Sequence, residues 1–282
     1  MKKKAKTKRV LGCLFAVSLI FGLFLVSMVF SKFIVTEEKP PEEVDEQRQV
    51  FIDSLSGHAQ ILYEKYHVLP SITLAQAILE SDWGNSELAG KARNLFGVKG
   101  DYKGKHVTMK TDEFEKGKRK TIRAKFRKYS TFFESMDDHA KLFVNGTSWN
   151  KKKYKPVIEA DNYKTAAAAL QKSGYATDPG YAEKIKDVIE TYNLNEYDKI
   201  NASLKAVDKK GAIKDHAIED VWSKPSKERH SIKLASAQKF TGQHIKVVSE
   251  KQNGESVWYQ IQVKDKLIGW VDQTAVQLSE ET

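Results

Sequence analysis

The sequence predicts an α+β protein: a mainly helical domain with a small β-hairpin lobe, then a small all-β barrel, preceded by one membrane-spanning helix. Three observations carry that prediction. Apolar residues recur at helical spacing from Phe51 to Tyr66 and again from Ile72 onward. Two runs between residues 105 and 128 alternate as strands do. Past Asn201 the helical pattern gives way to short β-prone runs separated by turns.

The chain has 282 residues, 40% hydrophobic and 30% charged, enough for more than one domain with a buried core. Its net charge of +10 is unevenly placed. Residues 1–36 hold seven Lys or Arg and no acid, residues 37–202 hold 27 basic and 26 acidic residues, and residues 203–282 hold 13 and 11. The part expected to fold is therefore nearly balanced, which argues against a nucleic-acid binder. One exception is residues 99–128, with 12 basic and four acidic residues. Such a patch attracts an anionic polymer or is simply a solvated hairpin surface. The single cysteine, Cys13, lies in the apolar N-terminus, so no intramolecular disulfide is available and the fold must rest on its core.

Residues 2–9 read KKKAKTKR, and no charge occurs from 10 to 30. Those 21 residues, at about 1.5 Å each, match a bilayer core of roughly 30 Å. Basic residues dominate the N-terminal flank, which places that end in the cytoplasm and the rest outside. The expected division is a cytoplasmic tail at 1–9, a signal anchor at 10–35 and a polar stalk at 36–49 containing Pro40 and Pro41. A cleaved signal peptide is the alternative, but its apolar region is normally shorter and ends at a small-x-small site. Leu11-Gly12-Cys13 is faintly similar to a lipidation motif, yet it opens the apolar run instead of closing it.

The helical region begins near Gln49, and Pro70 interrupts it. Ser71 is placed to cap a second helix reaching Asp82, with Trp83-Gly84-Asn85 as its stop and a short helix at Ser86-Glu87-Leu88-Ala89. The hairpin follows, with its turn at residues 115–118. Thr131-Phe132-Phe133-Glu134 reads as a capping box, the alanines 166–169 mark a helix ending at Gly174, and Asp178-Pro179 opens the last helix. Strands are then expected around 232–234, 245–248, 257–263 and 267–271, with turns at 252–254 and 264–266.

Glu80 ends the second helix, directly before Trp83. A carboxyl beside an aromatic ring loses solvent, which raises its pKa toward what a general acid needs. By periodicity alone, such a residue reads as a solvated helix face. The segment Leu74-Ala75-Gln76-Ala77-Ile78-Leu79-Glu80-Ser81-Asp82-Trp83-Gly84-Asn85-Ser86 resembles the signature of glycoside hydrolase family 73, the bacterial endo-β-N-acetylglucosaminidases. Three further blocks follow in order: residues 94–100, Phe126-Arg127-Lys128-Tyr129, and residues 173–182. Asp82 stands where many members have Gly.

The resemblance covers residues 50–195 and implies a lysozyme-like domain, set at 50–201, that hydrolyses peptidoglycan between N-acetylglucosamine and N-acetylmuramic acid. It implies Glu80 as catalytic acid, a second carboxylate on the hairpin (Glu113, with Glu115 as rival), and Tyr175 beside the cleaved bond. Trp83, Asn94, Phe96 and Tyr181 are the candidate sugar-binding residues. A muramidase or lytic transglycosylase on the same fold, and a non-catalytic wall-binding scaffold, are the alternatives. Carboxylates about 5 Å apart suit retention and roughly 6.5–9.5 Å suit inversion, so the mechanism stays open. No HExxH or CxxC motif occurs, and neither cofactor nor metal is expected.

Residues 217–225, Trp258-Tyr259-Gln260 and Ile268-Gly269-Trp270-Val271-Asp272 resemble a GW module, an SH3-like barrel, set at 202–282. That resemblance implies wall attachment, through lipoteichoic or wall teichoic acid, or a role in positioning the catalytic domain. The expected location is the cell membrane, facing the wall.

Overall fold

A proline at a first helical turn followed by two glutamates suits a helix N-terminus. In the computed structural model, α1 starts at that proline and runs Pro41–Tyr66. The structure describes residues 41–115, 118–199, 203–226, 228 and 230–279, with the side chains of 41–44 and 112–119 outside that description. The expected tail and anchor over 1–35 lie outside the described residues. No helix among the described residues is long and apolar enough to cross a membrane. The expected stalk is corrected from residue 41: its C-terminal part is the first two turns of α1. Its charges hid the helix, because an exposed helix turn has no apolar stripe to read.

His67, at φ 57°, ends α1, and Pro70 opens α2 (Pro70–Ser81) instead of breaking it. The N-cap is Leu69, not Ser71. The Ser71 hydroxyl and amide instead bind Asp198 at 2.8 Å each, tying α2 to the 3₁₀ turn Leu194–Asp198. Then come α3 (Glu87–Ala92), β1 (His106–Glu115), β2 (Lys118–Arg127), α4 (Phe132–Asn145), α5 (Lys155–Ile158), α6 (Tyr163–Lys172) and α7 (Tyr181–Thr191). Thr131 caps α4 by accepting from the Glu134 amide at 3.1 Å, and Glu134 reaches back to the Ser130 amide at 2.7 Å. The helices close around one core containing Leu55, Leu62, Ile72, Leu74, Ile78, Met136, Phe143 and Ile185.

The hairpin pairs His106 with Arg127 and Glu115 with Lys118. Alternation sends Val107, Met109, Ala124 and Phe126 to one face, where they pack on Leu88 and Ala92 of α3. The hairpin is thus rooted on α3.

The remaining strands form one sheet in the order β5-β4-β8-β7-β6-β3-β9. They are β3 (Leu204–Ile213), β4 (Asp220–Trp222), β5 (Lys233–Ser236), β6 (His244–Asn253), β7 (Ser256–Val263), β8 (Lys266–Asp272) and β9 (Val276–Leu278). A bridge between Ile213 and Thr241 brings the β5 side back to β3, so the sheet curls around its own core. Gly269 is required where β8 crosses β4. Its φ is 146°, and an added Cβ would lie 2.6 Å from the Trp222 carbonyl oxygen.

This module packs on α1. Leu204, Trp258 and Trp270 form a cluster with Trp222 and with Ile61 of α1. A Cβ added at Gly57 would lie 3.5 Å from Leu204 and 3.6 Å from the Trp270 ring, so α1 passes close to both. Polar bonds surround the cluster: the Gln260 amide donates to the Ser54 carbonyl at 3.2 Å, and the Ser223 hydroxyl donates to buried Asp53 at 2.7 Å.

Candidate active site

Glu80 sits one turn beyond Gln76 on α2, so both side chains share a helix face. The helix is buried along almost its whole length, but Glu80 at its end reaches the surface. The chain then turns sharply. Asp82, Trp83 and Gly84 have φ of 50°, 57° and 76°, three successive left-handed residues. A bulky residue there is strained, and such strain gathers at functional sites.

The turn is held by several bonds. The Trp83 amide donates to the Ile78 carbonyl at 3.2 Å, the Gly84 amide to the Ser81 hydroxyl at 2.7 Å, and the Ser86 amide to the Ser81 carbonyl at 2.8 Å. The Trp83 ring meets Phe51 at 6.0 Å and Tyr192 at 4.8 Å, both edge-on, with the Arg48 guanidinium 5.2 Å from its centroid. Gly84 is required, since a Cβ would lie 2.8 Å from a Phe51 ring carbon.

The Gln76 amide donates to Tyr181 Oη at 3.1 Å, and Tyr181 Oη donates to Glu80 Oε1 at 2.7 Å. Dense packing pushes the Glu80 pKa up to about 8, and the Tyr181 hydrogen bond pulls the other way without offsetting it. Glu80 is therefore largely protonated at neutral pH and can donate a proton. Tyr175 stacks on Tyr181 at 5.8 Å, and its hydroxyl lies 2.9 Å from His139 Nε2. His139 stacks on Phe96 at 3.8 Å.

The structure thus brings Glu80, Tyr181 and Tyr175 together, with Phe96 beneath them. It does not give Phe96 or Tyr181 the role of sugar platform: their rings are 0% and 2% exposed, so neither offers a face to a sugar. Asn94 is also corrected. Its amide donates to the Val98 and Arg127 carbonyls at 2.9 Å each, and its oxygen accepts from the Val98 amide at 3.0 Å. These bonds tie the loop after α3 to the end of β2. Trp83 alone of the four stays half-exposed. Glu113 and Glu115 fall opposite Lys120 and Lys118, and their side chains lie outside the described residues. A cavity of about 1000 Å³ between α1 and the β-module, lined by Asp53, Tyr197, Lys224 and Trp270 among others, does not include Glu80.

A model of the family described as mannosyl-glycoprotein endo-beta-N-acetylglucosaminidase matches residues 56–194, and one for the GW (Gly-Tryp) dipeptide domain matches 203–277. The exo-glucosaminidase LytG of Bacillus subtilis (strain 168) is 69% identical over 281 residues, covering 100% of this chain and 99% of the relative. The chain belongs to the glucosaminidase family.

This glucosaminidase is a glycoside hydrolase of cell-wall peptidoglycan, with a lysozyme-like domain followed by a GW domain. The catalytic domain of the autolysin Auto from Listeria monocytogenes is similar at 42% identity and a TM-score of 0.51, covering 59% of this chain and 99% of that one. An N-acetylmuramoyl-L-alanine amidase structure from Staphylococcus aureus shares the fold over 83% of this chain and 82% of its own, at 24% identity and a TM-score of 0.50.

Sequence reading of this glucosaminidase passed over Gln76 and His139. Both had a signal: each is a polar residue on the apolar face of an amphipathic helix, where burial demands a partner.

Proposed function

We propose that this peptidoglycan hydrolase cleaves the β-1,4 bond between N-acetylglucosamine and N-acetylmuramic acid, with Glu80 protonating the leaving oxygen. The observation that supports this is a surface-reaching carboxyl held protonated by its packing and aimed by Tyr181. Glu113 is the proposed second carboxylate, placed on a hairpin rooted through α3 beside α2. Cleavage from glycan ends is favoured over internal cleavage. The full-length relative is named an exo-glucosaminidase, although the family description reads endo.

The test is mass spectrometry of digested sacculi. Release of free N-acetylglucosamine with glycan length little changed supports the exo mode. Shortened strands with new N-acetylglucosamine reducing ends would establish the endo mode, and anhydro-muramyl ends would overturn hydrolysis altogether.

We further propose that residues 10–35 anchor the chain in the cytoplasmic membrane with residues 36–282 facing the wall. The GW domain is proposed to position the catalytic domain there, with lipoteichoic or wall teichoic acid as its polymer ligand. Its Trp270 packs with Ile61 of α1, which supports positioning as the main role.

A further inference from the structure

Among the described residues three large apolar side chains are exposed, and two of them, Val144 and Trp149, lie at the C-terminal end of α4 and just beyond it. Trp149 leaves 60% of its surface in water. A single exposed valine is ordinary, but an exposed tryptophan forgoes one of the largest apolar burials that a side chain offers. The segment lies outside the four blocks that carry the family resemblance.

Looseness does not account for the exposure. The Thr147 amide donates to the Asn150 carbonyl at 2.9 Å, and the Asn150 amide donates to the Thr147 hydroxyl at 3.1 Å, closing the turn that carries Trp149. The Asn150 side chain accepts from the Lys152 amide at 3.0 Å. Thr147 is buried, and Tyr154 anchors the far side of the turn with its ring 5.2 Å from Phe143 and 5.9 Å from Tyr175. The indole is therefore held out in water on a braced turn.

The charges around it have one sign. Residues 139–158 contain five lysines and no acid. Lys141, one turn before Val144 on α4, and Lys151, Lys152 and Lys155 are all exposed. Lys155 pairs with Glu159 at 3.0 Å, whereas Lys151 and Lys152 have no ion pair among the described residues. A flat indole beside ammonium groups suits a polymer that carries both sugar rings and carboxylates. The apolar C–H face of a pyranose leaves water against the indole, and the carboxylates meet the lysines. Peptidoglycan has both, with hexoses along the glycan and carboxylates on its peptide stems. A bilayer surface is the poorer match, because one indole and one valine present far less apolar area than an interfacial helix.

We propose that Trp149, with Val144, Lys151 and Lys152, forms a second glycan-binding surface on the catalytic domain, outside the Glu80 site, that takes stem-bearing strands of the substrate peptidoglycan. It keeps the enzyme on the polymer between cuts. This rests on peptidoglycan as the substrate and not on which carboxyl is the acid.

The test is ¹H–¹⁵N NMR of the Glu80→Gln protein titrated with soluble, stem-bearing glycan strands. The chain has five tryptophans, and the indole N–H signal missing from Trp149→Phe identifies Trp149. That signal is expected to shift as strands are added. Trp149→Ala should bind strands about 10-fold more weakly. Lys151→Glu/Lys152→Glu should bind them about 3- to 10-fold more weakly at low salt, with the difference shrinking at high salt. Both variants should melt with the parent protein, since the replaced side chains are exposed. A Trp149 signal that stays fixed at saturating strands, or undiminished affinity in Trp149→Ala, overturns the proposal. So does a shift that anionic phospholipid vesicles produce and strands do not. Strands that shorten during the titration would show that Glu80→Gln still hydrolyses. That result counts against Glu80 as the acid, and the Trp149 signal still decides the second surface.

Discussion

Among the described residues, the one side-chain hydrogen bond to Glu80 comes from a neutral tyrosine, and packing does the rest. Replacing Glu80 with Gln is expected to lower hydrolysis of sacculi by about 100- to 10,000-fold, measured as released reducing ends. The same substitution has a stability signature. Folding raises the Glu80 pKa from 4.5 to about 8, so between those values the folded state keeps a proton that the unfolded chain releases. Stability therefore falls as pH rises through that window. Glu80→Gln is expected to melt with wild type at pH 4 and above it at pH 8, read by thermal unfolding across pH. Tyr181→Phe removes the bond that lowers this pKa, so the basic limb of the kcat/KM profile should move to higher pH. An unchanged limb would show that Tyr181 does not act on the acid.

At the scale of elements, the turn after α2 concentrates strain next to the acid. Asp82 holds φ 50°, and Asp is one of the few residues besides Gly that visits the left-handed region readily. Asp82→Gly should leave stability near wild type, whereas Asp82→Ala should cost about 1 kcal/mol, measured by urea midpoints. Gly84→Ala faces both a positive φ and the Phe51 ring, and should cost about 1–3 kcal/mol and displace Trp83. Elements like these were legible in the sequence when their signal was local. The hairpin showed in its alternation, the α4 cap in Thr131 and Glu134, and the stop of α2 in Trp83-Gly84. Signals that depend on distant partners were not legible. Ser71 looks like a cap until Asp198 arrives from 127 residues away to bind it. The strand β3, with Asp208, Lys209 and Lys210, is too charged to announce itself, yet β6 and β9 pair with it on either side. Tyr181 and Phe96 resembled platforms because aromatic identity says nothing of which ring faces solvent. Only the packing of α2, α4 and α7 shows that both rings support the acid from within.

For the whole molecule, the question is whether the GW domain hangs from the catalytic domain or is built into it. Asp53 on α1 is 1% exposed, and it accepts from Ser223 at 2.7 Å, Gln49 at 2.7 Å and Tyr197 at 3.3 Å, with Lys224 Nζ 3.4 Å away. Burial pushes its pKa up while Lys224, Ser223 and Gln49 pull it down. A carboxylate removed from a site like this strands a lysine and three donors, which makes the loss larger than that of a surface pair. Phe51, on the same helix, supports Trp83 and Gly84 beside Glu80, so the helix that receives the GW domain also braces the turn at the acid. The two domains should therefore melt as one unit. Calorimetry of the protein from residue 41 onward is expected to show a single transition. Asp53→Ala should split it in two and expose the Trp222, Trp258 and Trp270 cluster, seen as a red shift in tryptophan emission before the helical signal is lost. Two independent transitions in the wild type would show that the GW domain is a free tether, and its contact with α1 would then carry no role in holding Glu80 in place.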